Sequence, residues 1–256
     1  MYEELRNQII SLLSKGMRMD GRKPDEYRPV TIETGVSKNA EGSAKVKIGE
    51  TEVIAGVKME VMKPYPDTPD QGSMMVNVEL FPLSSPEFES GPPDNYSIEL
   101  ARITDRGIRE SKTLDVKKMC IKAGEKAWTV VIDICTLNDA GNLYDAISLA
   151  AMAAIKNAVY PAYDGEKIDY KTKTKEKLPI SKLPISITVF KYGDHLLLDP
   201  TNEEDKSYDA RLTVATLENG NICSLQKGGD TAITADDALM MIELARKRSA
   251  ELRKLL

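Results

Sequence analysis

At 256 residues, 41% of them hydrophobic, the chain is long enough to bury one large core or two fused smaller ones. Charged residues make up 29% and run along the whole length, and Pro/Gly-rich stretches are short, which argues against a long disordered tail. A net charge of −5 argues against a free-standing nucleic-acid binder, because affinity for a phosphate backbone rests on cationic side chains, so any such contact is expected to be local.

Glu3 to Lys15 reads as an amphipathic helix, with Leu5, Ile9, Ile10, Leu12 and Leu13 on one stripe and Gly16 as a stop. That stripe would stay uncovered in a monomer, so a partner chain is expected to cover it. The start MYEELRNQII carries acids where a signal peptide carries bases, and no apolar run approaches the roughly 18 residues a bilayer requires, so a cytoplasmic location without membrane contact is expected. From Arg28 the pattern changes to short strands: RPVTIETGV, SAKVKIGETEVIAGVKMEV with a turn at Gly49-Glu50, and GSMMVNVEL, read together as an antiparallel meander. The loop PLSSPEFESGPPDN then leads into a helix over Ser97 to Ser111.

Two strands follow, around Lys118 to Ile121 and Ala127 to Leu137. The next helix, Leu143 to Ala158, is apolar nearly all round, as a fully buried helix must be. A lysine-rich stretch between Tyr163 and Pro179 reads as a surface linker or hairpin. Beyond it, ISITVFKYGDHLLLDP, ARLTVATLENGNICSLQ with a turn at Asn219-Gly220, and a helix from Thr234 repeat the order of strands followed by helix. Thr234 and Asp237 form a variant of a capping box, and Arg246, Lys247 and Arg248 suit the far end of the helix dipole. Cys120, Cys135 and Cys223 stand far apart without a CxxC pair, so buried free thiols are expected in place of a zinc site or disulfides. The expected fold is α+β: an N-terminal helix and extended arm (1–27), a first half (28–162), the linker or hairpin (163–183) and a second half (184–256), each half a mixed sheet packed on helices.

Five segments in order, MDGRKPDEYRPV, GETEVIAGV, ELARITDRGIRESK, LNDAGNLYDAISLAAMAAI and LLLDPTNEEDKSYDARLTV, resemble the RNase PH superfamily, over nearly the whole chain from Met19. Within it the chain looks most like the non-catalytic RNase-PH-like subunit of the archaeal exosome core ring. The resemblance implies the RNase PH fold and a hexameric ring of three heterodimers with a catalytic RNase-PH-like subunit. It also implies RNA-binding cap proteins as partners, single-stranded RNA in the central pore, and phosphorolytic 3′-5′ RNA degradation performed by the partner. No catalytic residue, cofactor or metal is expected in this chain.

Phosphorolysis brings two anions into one pocket, which demands fixed donors and positive charge. Active members of the superfamily place a Gly-Gly-Thr/Ser-Arg turn before the buried helix; the matching residues here are Ala140, Gly141, Asn142 and Leu143, with Asp139 and Asp145 adding charge of the wrong sign. Active members also place two aspartates six residues apart in the acidic loop. Here the matching positions are Asp205 and Arg211, and Asp205 stands in a run of acids, Glu203, Glu204 and Asp209, expected to be a solvated surface turn. Both sites are therefore read as degenerate.

The helix over 97–111 gives the opposite result. At about 100° per residue, Arg102, Arg106 and Arg109 fall within roughly 60° of one another, while Leu100, Ile103, Thr104, Gly107 and Ile108 take the far side. The bland interpretation pairs these arginines with Glu99, Asp105 and Glu110 on the same helix. The resemblance favours RNA binding by Arg102, Arg106 and Arg109, since arginine suits bidentate phosphate contact. Lys63 is a weaker RNA-binding candidate, and Lys171, Lys173, Lys175 and Lys177 weaker still. His195 has no nucleophile within reach by sequence, and Trp128 reads as core. The alternative function is an active phosphate-dependent 3′-5′ exoribonuclease or nucleotidyltransferase using Asp205; a small-molecule enzyme ranks last, lacking a nucleotide loop, metal cluster or paired nucleophile.

Overall fold

The computed structural model describes residues 2–256, with side chains from Glu3 onward. Helix α1 (Tyr2–Leu13) is followed by an extended arm and by strands β1 (Val30–Thr34), β2 (Gly42–Ile48) and β3 (Thr51–Met62), which pair antiparallel in sequence. Alternation along β2 and β3 buries Ala44, Val46, Ile48, Val53, Ala55, Val57 and Met59 on one face. Strand β4 (Ser73–Glu79) does not continue this meander, as its sequence suggested. After α2 (Asn95–Glu110) and the short β5 (Cys120–Lys122), the long strand β6 (Lys126–Asn138) pairs with β3 over its whole length and takes the free edge. β4 then joins the far side of β6 in parallel, giving the order β1-β2-β3-β6-β4.

Helix α3 (Leu143–Asn157) explains its own composition by its position. It packs against β1, β2, β3 and β6 on one side, and against α2 and the second half on the other, so every residue from Leu143 to Ile155 is buried. The lysine-rich stretch is an antiparallel hairpin, β7 (Val159–Tyr163) and β8 (Ile168–Lys177), rooted by Trp128, whose ring lies 5.4 Å from both Tyr160 and Tyr163.

The second half forms a four-stranded antiparallel sheet from β9 (Ile185–Tyr192), β10 (His195–Leu198), β11 (Ala210–Thr216) and β12 (Ile222–Gly228), in the order β10-β9-β11-β12. One-turn helix α4 (Asn202–Asp205) sits between β10 and β11, and α5 (Ala235–Arg253) covers β9 and β11. Helix α5 begins at the expected box, with Thr234 Oγ1 accepting from the Asp237 amide and Asp237 Oδ2 accepting from the Thr234 amide.

Two expectations are corrected. The stripe of α1 is satisfied inside the chain: Ile9 and Leu13 are buried where α1 meets α4 and β9. The three thiols are free but only half-buried, with desolvation pushing Cys135 up to about 11. Among the described residues no helix is long and apolar enough to cross a membrane.

Candidate functional site

The N-terminus of α3 is a ready anion site, since its first amides lack helical partners and carry the positive end of the dipole. Gly141 has φ 91°, and a Cβ there would stand 2.6 Å from the Pro200 carbonyl oxygen, so the turn before the helix is pressed against the second half. Two amides of the turn that leads into α3 are already engaged. Gly141 N donates to Asp139 Oδ1 at 3.0 Å and Asn142 N to Asp205 Oδ2 at 3.2 Å, so carboxylates of the chain itself stand where an external anion would bind. Leu143, next along, is fully buried.

Asp145 does not face this pocket. Its carboxylate turns inward to accept from Tyr27 Oη at 2.6 Å, Thr188 N at 2.8 Å and Asn142 Nδ2 at 3.1 Å. Burial nonetheless pushes its pKa up to about 7, and does the same to Asp205; Asp139 is raised, also by burial. The carbonyl of the Asn142 side chain is buried without a partner.

The acidic run is not a solvated turn. Glu204 lies buried against Arg18, at 2.5 Å from Nη2, while the same guanidinium donates to the carbonyls of Leu198 at 2.9 Å and Asp199 at 2.8 Å. Asp209 accepts from Arg6 at 2.6 Å, Asp205 is half-buried, and Glu203 alone of the four acids is exposed. Sequence reasoning missed this because the cations come from the N-terminal arm, far away along the chain.

Arg211 is fully buried. Its guanidinium carbon lies 4.0 Å from the centre of the Tyr144 ring in the first turn of α3, and Nη2 meets Glu99 Oε1 of α2 at 2.5 Å. Nε and Nη1 have no hydrogen-bond partner. The plate lies flat on Gly228 of the neighbouring strand, where a Cβ would stand 2.5 Å from Cζ.

Helix α2 starts at Asp94, whose carboxylate accepts from Ser97 N at 2.8 Å, and buries Ser97, Leu100, Ile103, Thr104, Gly107 and Ile108 as its period requires. Arg102 and Arg106 are exposed and, among the described residues, make no ion pair. They line a groove of about 490 Å³ between α2 and β4, with Ile98, Asp105, Val76 and Asn77. Arg109 differs: it is bound to Asp105 at 2.7 Å and to the Met74 carbonyl at 3.1 Å. Glu99, one of the three acids that the bland interpretation pairs with the stripe, is turned to Arg211 instead. Lys63 is exposed in the loop between β3 and β4, and His195 is half-buried on β10. Lys171, Lys175 and Lys177 are exposed on β8, while Lys173 donates to the Ala40 carbonyl.

A second missed feature joins two of the sequence motifs. Arg28, in MDGRKPDEYRPV, donates to Asp199 of LLLDP at 2.6 Å and 2.9 Å and to the carbonyls of Ala140 at 2.7 Å and Gly141 at 3.1 Å, while Arg22 reaches Asp199 at 2.8 Å. These bonds hold the Asp199 carboxylate below the usual range against the opposing effect of its burial. The arm thus clamps the turn before α3 to the strand end before α4.

Two strand-then-helix halves thus pack on one buried helix, and the turn at that helix's start is bonded to carboxylates of the chain itself. Family models agree: 3′ exoribonuclease family domain 1 matches residues 26–161 and domain 2 matches residues 182–248. The chain belongs to the RNase PH family of 3′ exoribonucleases. It is 46% identical to the exosome complex component Rrp42 of Pyrococcus horikoshii, over 98% of this chain and 93% of that one, and 45% identical to that of Thermoplasma acidophilum, over 99% and 95%. Among solved structures, a chain of the Archaeoglobus fulgidus exosome with RNA bound to the active site superposes with TM-score 0.91 at 43% identity, covering 99% of this chain and 98% of that one. Rice Rrp46, at 17% identity and TM-score 0.69, shares the fold.

Proposed function

We propose that the chain is the non-catalytic subunit of an archaeal exosome ring, pairing with a catalytic RNase-PH-like subunit as three heterodimers and helping to hold RNA for phosphorolytic 3′-5′ degradation. The observation that carries this reading is the filled pocket at the start of α3. Its amides are bound to Asp139 and Asp205, Leu143 stands where a cation is needed, and Arg211 stands where a second carboxylate is needed. Phosphate would meet two carboxylates and no free donor from Gly141 or Asn142 there. Likeness to the exosome components and the exosome core structures supports partner subunits and RNA, and the reading extends to cap proteins that bind RNA and to a cytoplasmic location.

Retention of RNA falls to the exposed Arg102 and Arg106, with Arg109 and Lys63 as outlying contacts. Mixing decides the matter. The purified chain alone is expected to release no nucleoside diphosphate from RNA and phosphate, and a mixture with a catalytic paralogue is expected to form a ring and degrade RNA. Phosphate-dependent degradation by the chain alone would reject the non-catalytic reading.

A further inference from the structure

Arg211 stands at a position where active members of the family carry a carboxylate, yet its contacts are more extensive than a substitution tolerated by chance would need. The guanidinium joins three elements: it is carried by β11, stacked on Tyr144 of α3 and paired with Glu99 of α2. Glu99 lies three residues before Arg102, hence about one helical turn from it. Without this pair, Glu99 would stand within reach of Arg102 as an i,i+3 partner and lower the positive charge of the groove.

We propose that Arg211 is a positioning residue for RNA retention: it draws Glu99 away from the arginine stripe and locks the N-terminal half of α2 against α3, so that Arg102 and Arg106 stay unpaired and fixed over the groove beside β4. The inference rests on the reading of α2 as an RNA contact. Three observations support it together. Arg211 is fully buried, so it does not itself reach RNA. Among the described residues its Nε and Nη1 make no hydrogen bond, and the cation is held by Glu99 and by the tyrosines beside it, Tyr144 and Tyr208. Gly228 leaves the flat space that the guanidinium occupies, which a Cβ would close. The degenerate site and the arginine helix are thus one connected unit.

The test uses the assembled ring with its catalytic partner and a short single-stranded RNA. Arg211→Ala is expected to weaken RNA binding about three- to tenfold and to raise the KM for RNA, with kcat and the KM for phosphate unchanged, and adding Glu99→Ala to it, which removes the freed acid, is expected to recover part of that loss. Arg211→Lys, which keeps the charge but not the planar fork, is expected to fall between. In a ring already carrying Arg102→Ala and Arg106→Ala, Arg211→Ala is expected to add nothing. Unchanged RNA affinity for Arg211→Ala, or no recovery in Arg211→Ala/Glu99→Ala, in rings where the Arg102→Ala/Arg106→Ala pair does weaken binding, overturns the positioning role and leaves the RNA contact standing. No effect from any of these variants removes both. If Arg211→Ala fails to assemble, Arg211→Lys, compared with and without Glu99→Ala, decides by the same two outcomes.

Discussion

The amide of Asn142 and the carboxylate of Asp205 lie 3.2 Å apart, in different halves of the fold. This bond places an internal anion at the positive end of α3, where a phosphate-using relative would hold its substrate. It also buries a carboxylate with few compensating donors, which makes the pocket sensitive to pH.

Burial raises the folded-state pKa of Asp205 to about 7, above the value of about 3.9 in an unfolded chain. The stability contributed by the protonated acid is therefore complete below about pH 4 and is lost as pH rises through about 7. Asp205→Asn should match the parent chain near pH 4 and exceed it at pH 8 by on the order of 1–2 kcal/mol, allowing for partial exposure. Denaturant titrations of both proteins at the two pH values check this, and an equal difference at both would contradict it.

Restoring the missing cation alone should not restore an anion site. Leu143 is fully buried, and the neighbouring amides remain bonded to Asp139 and Asp205. Leu143→Arg is expected to cost about 2–4 kcal/mol of stability and to leave phosphate binding undetectable by calorimetry.

Glu204 and Arg18 form a buried pair whose members come from opposite ends of the chain. Removing one partner leaves the other charge uncompensated, so Glu204→Ala is expected to destabilise by about 3–5 kcal/mol. Arg246→Ala, at the exposed pair with Glu243 on α5, should cost under about 1 kcal/mol, and thermal unfolding of the two variants side by side provides the comparison.

Within the ring, Arg102→Ala/Arg106→Ala is expected to weaken RNA binding and to make it less dependent on salt. The slope of log affinity against log salt should fall by about 0.7 for each phosphate contact removed from a single strand. Arg109→Ala, whose guanidinium is already held by Asp105 and the Met74 carbonyl, should change the slope less.

Local signals carried much of this architecture. The period of α2 placed Arg102 and Arg106 opposite Leu100 and Ile103, and the unbroken apolar run of α3 announced a helix with no solvent face. The partner of β4 was illegible, because strand pairing is a competition among edges and the winner, β6, lies more than forty residues downstream. Glu204 and Asp209 misled for a related reason: a run of acids looks solvated until its cations are known, and those, Arg18 and Arg6, sit on the arm and on α1. Arg22, Tyr27 and Arg28 stood inside a recognised motif, but only the fold shows that they bind Asp199 and Asp145.

The arm also sets a clock. Arg18 precedes Glu204 by 186 residues, and Arg22 and Arg28 wait equally for Asp199. At ribosomal speeds of about 5–20 residues per second, roughly ten to forty seconds pass between synthesis of the guanidiniums and synthesis of their carboxylates. From the synthesis of Leu143 until that interval ends, the start of α3 has no lid from the second half, so the nascent first half is held short of its final form until about four-fifths of the chain has been made.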